Sequence, residues 1–424
     1  MFENVLGQDD AVSRLRSDLG RDELPGALLF DGPPASAKLT AALELARASS
    51  CERDGTWNCP CAQCARHRLM SHQDLLLMGP KPSREELRVG AAMLERYPGP
   101  ASRMFFVRAA AKLARRFDRE LYEGEEGRLG RVQPLVRAVM EGIDACLPGK
   151  GDDAEAAAAA RKLLPACDKL EEALPNATPV FQVRAMEFWA RLAPFGRRKV
   201  VVIEHADRML DSARNALLKI LEEPPETAVF VLTTTRRQAM IPTILSRVRR
   251  YRFLPRTGPA ARAVMERVFR EPPGAELPDT VDGYLAATRT GSSGALPAKA
   301  RAYAAAVLAA AERRSGPFAD PPLSALAAES RQGVRAAIAD AAAATAGFGA
   351  GDEALSWAFP AFLEETSAVF GALLRDPAAG RETVRAAGRW AALSRDALMR
   401  HASYNLNPTA LAERLAAAMA GGGR

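Results

Sequence analysis

Over the first 255 residues short apolar runs alternate with stretches of helical period, and helix-forming sequence alone follows. The runs at 27–30, 74–78, 199–203 and 229–233 are largely unbroken by polar alternation and rich in Leu, Val and Phe. Such runs fit strands buried on both faces of a parallel sheet. Between them the pattern predicts helices over 9–19, 40–48 and 212–223, the last stopped by Pro224-Pro225. A further helix begins near Gln182, with Val183, Met186, Trp189 and Ala193 near helical spacing. Strands alternating with helices predict an α/β fold, an open parallel sheet between helical layers. From about 83 to 175 the chain is charged, Ala-rich and helical in character, and it is least complex over 154–160. Past Pro255 no strand is expected. Short helices broken by Glu271-Pro272-Pro273-Gly274 occupy 258–299, and 300–419 is almost wholly helix-forming before Gly421-Gly422-Gly423. No internal repeat is evident.

Composition changes this picture little. A chain of 424 residues has length for two or three domains, and 48% hydrophobic with 26% charged residues is ordinary for a globular protein. No apolar run reaches membrane-spanning length, and Met1-Phe2-Glu3-Asn4 lacks the basic-then-apolar start of an export signal, so a cytoplasmic location without membrane contact is expected. The net charge of +7 comes from 58 basic against 51 acidic residues, an excess that a mixed solvated surface explains as well as nucleic-acid contact. Arg115, Arg116, Arg128 and Arg131, within the 83–175 stretch, are candidates for such contact, the alternative being a solvated spacer.

The segment Gly32-Pro33-Pro34-Ala35-Ser36-Ala37-Lys38-Leu39 lies between a strand-like run and a helix, where G-x-x-x-x-G-K-[ST] would cradle phosphate. Two positions depart from that pattern. Ala37 adds a Cβ where bare backbone must approach the ligand, and Leu39 cannot ligate Mg²⁺. Thr40, about 100° further round the helix, is a poor substitute. The nucleotide site of Gly32 and Lys38 is therefore expected to be degenerate and inactive, without ATP and Mg²⁺ of its own.

Four of the six cysteines fall between 51 and 64, in the array Cys51-x7-Cys59-x-Cys61-x2-Cys64-x2-His67. That spacing favours a metal site over disulfides. Two tetrahedral ligand sets are open, Cys51, Cys61, Cys64 with His67, or the same three with Cys59. Either closes a structural Zn²⁺ site that leaves no position for catalytic water. Cys146 and Cys167 are read as ordinary apolar residues.

Several stretches together resemble the bacterial clamp-loader subunits of the AAA+ class, in the DNA polymerase III system, and within them the non-catalytic delta-prime branch. They are 2–8 (FENVLGQ), the phosphate-loop relic, 202–209 (VIEHADRM), 215–225 (NALLKILEEPP) and 242–247 (PTILSR). The resemblance implies a P-loop NTPase (AAA+) core over 1–255, with a zinc module at 51–67 and a helical insertion at about 83–175 that the family lacks. It further implies a small helical lid over 256–299 and an all-α collar for oligomerisation over 300–424, to which 404–408 and the stripe Leu411, Leu415 and Met419 belong. Family cysteine spacing places Cys51, Cys61, Cys64 and His67 ahead of the set with Cys59. Glu204 would stand where active members have a metal-approaching Asp, and His205 replaces the following catalytic carboxylate. Over 291–296 the arginine of active relatives is missing. Arg247 sits in the family's Ser-Arg-Cys position, read here Ser246-Arg247-Val248, and would reach in trans to the γ-phosphate held by a neighbouring subunit. The implied partners are gamma/tau-type and delta-type subunits, with the sliding clamp and primed DNA engaged through the complex. The chain would then have no ATPase activity of its own within the polymerase III holoenzyme. Two other readings stay open, an ATP-hydrolysing gamma/tau-like motor and a zinc-containing DNA-binding protein with a vestigial nucleotide fold.

Overall fold

The computed structural model describes residues 1–80, 85–290, 296–344, 352–404 and 407–420. The expectations placed on 291–295, 405–406 and 421–423 lie outside these residues. Two compact units divide the chain, Met1–Leu285 and Ala286–Arg424.

The first unit opens with α1 (Asp9–Gly20), β1 (Ala27–Asp31), α2 (Lys38–Ser49), α3 (Ala62–Arg68) and β2 (Leu75–Met78). Four helices follow, α4 (Glu85–Arg96), α5 (Pro100–Ala114), α6 (Glu126–Cys146) and α7 (Asp153–Glu172). The chain then returns through α8 (Val180–Arg191), β3 (Lys199–Ile203), α9 (Asp211–Glu222), β4 (Ala228–Thr234), α10 (Pro242–Leu245) and β5 (Arg249–Arg252). Next come α11 (Gly258–Arg267) and α12 (Val281–Thr290), whose length crosses the boundary between the units. The segment from 256 to 285 thus packs with the first unit.

All five strands are parallel, in the order β2-β3-β4-β1-β5. Leu28 pairs with Val231 and Val200 with Val229. Every residue of β1 to β4 is buried, so both faces of the sheet are covered. The edge strand β5 exposes Arg249, Arg250 and Arg252 and buries only Tyr251. It was not among the expected strands, because its sequence Arg-Arg-Tyr-Arg carries no apolar run. Phe30 is packed edge-on to Tyr251 (ring centroids 5.7 Å apart) and tilted against Phe253 at 5.0 Å.

The stretch expected to be an added surface subdomain is instead part of the main core. Phe106, Val107 and Ala110 of α5 share one buried cluster with the strands. The helix α7 is started by a capping box, Asp152 accepting from the Glu155 amide while the Glu155 carboxylate accepts from the Asp152 amide. Neither Arg115 nor Arg116 is presented to solvent. Arg115 donates to the carbonyls of Met70, His72 and Leu75, and Arg116 is buried against Glu204.

The second unit consists, among its described residues, of α13 (Leu296–Ser315), α14 (Pro321–Ala328), α15 (Val334–Ala344), α16 (Asp352–Leu374), α17 (Arg381–Tyr404) and α18 (Pro408–Ala420). The helix α13 packs against α14, α15, α16 and α18. Tyr303 stands at its centre, against Phe362 and Trp390, and its hydroxyl donates to the Ala412 carbonyl at 2.7 Å. No described helix is long and apolar enough to cross a membrane.

Phe30→Ala removes a fully buried ring from the sheet core and is expected to lower the stability of the first unit by about 3–5 kcal/mol. Urea unfolding followed by tryptophan fluorescence measures this, Trp57 and Trp189 lying in that unit.

Candidate functional site

Strands of a parallel sheet end on the same side, and here that side gathers Asp31, Gly79, Glu204 and Thr234. Backbone bonds lock these ends together, Gly32 N donating to Thr234 O at 3.3 Å, Glu204 N to Met78 O at 2.9 Å and Phe253 N to Asp31 O at 2.7 Å. Gly79 is required by crowding, since a Cβ there would lie 2.8 Å from the Glu204 carbonyl oxygen. A Cβ on Gly32 would come within 2.4 Å of the Phe253 carbonyl. The side-chain amide of Gln8 pairs with both backbone groups of Leu254, at 2.8 Å each way, and so fixes the chain just past β5.

The loop after β1 turns through two positive-φ residues where the sequence pattern places a phosphate loop. Ala37, with φ of +67°, occupies the left-handed conformation for which glycine is suited, and Ala35 does so at +53°. The Lys38 ammonium turns back on its own loop, donating to Gly32 O at 2.7 Å, Pro33 O at 2.5 Å and Ser36 Oγ at 3.0 Å. Its three protons are thereby satisfied within the loop. Burial pulls its pKa down to about 8 against the attraction of Asp31 and Glu204. Arg256 donates to the Ala35 carbonyl from two of its nitrogens and closes the loop from the far side.

At the end of β3, Glu204 forms an ion pair with Arg116, which follows α5. Both side chains are largely withdrawn from water, 12% and 3% exposed respectively. The cation facing Glu204 is thus a guanidinium of the same chain. His205 is held at φ of +48°, its amide donating to Thr233 Oγ1 at 3.3 Å, and burial lowers its pKa. Asp207 is fully buried and accepts from Thr234 Oγ1 at 2.8 Å and from Arg236 Nε at 3.1 Å. Nothing in the sequence signals that Arg116, Arg256 and Asp207 meet here, and its pattern makes Arg116 a candidate for nucleic-acid contact instead. Arg116 in particular lies 88 residues from its partner.

Arg247 lies away from this loop, directly after α10. It donates to Thr243 O at 2.7 Å and to Glu222 Oε1, near the end of α9, at 2.6 Å. Its side chain remains 31% exposed and that of Glu222 51%. An ion pair so open to solvent contributes little stability and exchanges readily for another anion.

The thiol cluster differs from the preferred ligand set. The sulfurs of Cys51, Cys59, Cys61 and Cys64 all lie within 4.8 Å of one another. Cys51 Sγ is 3.6 Å from Cys59 Sγ and 4.0 Å from Cys61 Sγ. These separations suit a tetrahedral S₄ site, in which bonds of ~2.3 Å put the sulfurs about 3.8 Å apart. A turn in which Cys59 N donates to Thr56 O at 3.1 Å brings Cys59 inward. Cys61 caps α3, its sulfur accepting from Cys64 N at 3.4 Å. His67, the fourth member of the preferred set, is directed elsewhere. Its Nε2 meets Ser50 Oγ at 3.1 Å, and its ring stacks on His72 with centroids 4.0 Å apart. Amides of Arg53 and Gly55 donate to Cys51 Sγ at 3.3 Å each, and Arg47 Nη1 to Cys64 Sγ at the same distance. At Cys64 the guanidinium favours the thiolate, but burial outweighs it and raises that thiol's pKa.

Residues 7–123 and 175–257 match the family described as DNA polymerase III, delta subunit. The chain belongs to the DNA polymerase III clamp-loader subunit family. The interval between the matched segments, 124–174, covers α6 and α7. Among curated relatives, the gamma/tau subunit of Mycobacterium tuberculosis is 36% identical over 93 residues, 21% of this chain and 15% of that protein. The delta' subunit of Bacillus subtilis is 37% identical over 75 residues, 18% and 23% of the two chains. That of Pseudomonas aeruginosa is 45% identical over 69 residues, 16% and 21%. The matched part therefore spans less than a quarter of each of these relatives. A DNA polymerase III gamma subunit-related protein from Thermotoga maritima, known from a crystal structure, aligns with 58% of this chain and 80% of its own at 20% identity and a TM-score of 0.31.

The all-sulfur geometry has a direct consequence for metal retention. Cys59→Ser is expected to lose bound metal, whereas His67→Gln keeps close to the wild-type content, as read by elemental analysis of the purified proteins. Equal loss in both variants would return His67 to the ligand set.

Proposed function

We propose that this chain is a delta-prime-like clamp-loader subunit, silent in its own nucleotide site, that lends Arg247 to ATP hydrolysis in an adjacent subunit. The observation that carries the reading is the contrast between two cationic positions. Lys38 is folded onto Gly32, Pro33 and Ser36, while Arg247 stands half-open on the surface beside a displaceable carboxylate. A guanidinium keeps its charge at any physiological pH, and its planar fork can match two oxygens of a transferring phosphoryl group. In this reading the chain takes part in ATP-driven placement of the sliding clamp on primed DNA, beside gamma/tau-type and delta-type subunits in the cytoplasm. The second unit would serve as the collar that joins it to them.

Cys51, Cys59, Cys61 and Cys64 would hold one structural zinc ion. Bound there, the metal would supply cross-linking of a loop too short to have its own core, and no chemistry. Arg47 favours such a centre, because its guanidinium offsets part of the negative charge of four thiolates through Cys64.

The similarity to gamma/tau subunits keeps a second reading in view, that of an ATP-hydrolysing motor. Calorimetric titration of the isolated chain with ATP and Mg²⁺ separates the two. Absence of Mg²⁺-dependent binding is expected, and tight binding with turnover would favour the motor. In a reconstituted complex, Arg247→Ala should lower hydrolysis at the site it serves by on the order of 10³-fold while the complex still assembles on gel filtration. Wild-type ATPase and clamp loading in that variant would overturn the trans-acting role.

A further inference from the structure

We infer that α4 and α5 form an internal brace, covering the 32–37 loop jointly with α11 and α12 and fastening that cover to the sheet. The cover is an apolar cluster to which the three parts contribute. Val89 and Met93 of α4 pack with Met265 of α11, with Phe269 and with Tyr284 of α12, and Ala35 of the loop lies against the same cluster. Phe105 of α5 meets Phe269 edge-on at 5.8 Å, and Phe269 stacks on Tyr284 at 4.9 Å. The helices α4 and α5 approach closely, since a Cβ on Gly90 would lie 3.2 Å from the Phe106 Cα.

Two polar anchors hold the cover in place. At one end Glu271, only 5% exposed, accepts from three donors. Arg96 Nη1 at 3.0 Å and Tyr97 Oη at 3.0 Å come from the end of α4, and Tyr284 Oη at 2.8 Å comes from α12. At the other end Arg116 pairs with Glu204 at the tip of β3. The α11–α12 segment cannot lift from the loop unless Glu271 leaves both Arg96 and Tyr97 and the aromatic stack is exposed to water. Rigid attachment follows, because a buried carboxylate stripped of its donors is strongly unfavourable. The consequence is a subunit whose loop and cover keep one arrangement whether or not nucleotide is present. This brace requires no partner subunit, so it stands or falls apart from the clamp-loader reading.

Hydrogen exchange by mass spectrometry on the full-length chain tests it. The double variant R96A/Y97F removes the hold of α4 on Glu271, and E271Q weakens the same node from the opposite side. In both, amides of 258–285 and of the 32–37 loop should exchange faster, on the order of tenfold in the double variant, while those of β1, β3 and β4 keep wild-type rates. Unchanged exchange over 258–285 overturns the brace. So does an increase spread evenly over the sheet, which would mean that these residues serve general stability only.

Discussion

A carboxylate at the tip of a buried parallel strand must have a cation, and the identity of that cation decides what this site can do. Glu204 has Arg116. In a nucleotide-hydrolysing site the corresponding acidic position would serve a hydrated Mg²⁺ that arrives with the triphosphate and leaves with the products. A guanidinium tethered to α5 does neither. Removing it would leave a buried charge uncompensated, a loss that typically costs about 3–5 kcal/mol. The pair therefore settles the local electrostatics permanently. Lys38 shows the same logic on the other side of the loop, its ammonium neutralised by carbonyl dipoles within hydrogen-bonding distance rather than by phosphate.

The sheet was legible in the sequence wherever a strand is buried on both faces. The runs at 27–30, 199–203 and 229–233 need no partner to declare themselves, because burial on both faces leaves them almost wholly apolar, Lys199 and Thr233 at their ends excepted. At the edge that requirement lapses, and β5 has one buried residue among three arginines. The defects of the phosphate loop were likewise local and readable, since a missing glycine and a missing hydroxyl are properties of single positions. What could not be read were the long-range contacts. Nothing about Arg116 or Glu271 in the linear chain says that one meets Glu204 and the other meets Tyr97. Cys59 and His67 were a near tie for a similar reason. Both flank the same pair of cysteines, and only the turn at 56–59 and the Ser50 hydroxyl show which side chain faces the other sulfurs.

The helix α5 also explains why the thiol cluster and the loop belong to one body. Arg47 of α2 reaches Cys64, the Glu44 carboxylate and the carbonyls of Gly55 and Thr56, with its guanidinium 5.5 Å from the Trp57 ring. From α5, Arg108 approaches the same ring at 5.5 Å and donates to the carbonyls of His67 and Arg68. The indole thus meets two arginines, one on the helix that begins at Lys38 and one on α5. Cation–π contact of this kind gains strength when desolvated. It gives the cysteine loop, which has few apolar residues of its own, a mechanical link to both neighbours.

Burial separates the arginines of this molecule into two kinds. Arg116 and Arg47 have side chains exposed by 3% and 1%, and their ion pairs cannot open without desolvated charges losing their partners. Arg247 and Glu222 form a pair of the same chemistry at 2.6 Å, yet water competes for both. Its net stabilisation is then about 0–1 kcal/mol, so that a more highly charged oxyanion brought alongside would displace Glu222 at little cost. Arg247 is thus positioned by Thr243 O and Glu222 yet free to exchange one anion for another, whereas the buried arginines are committed to this chain's own fold.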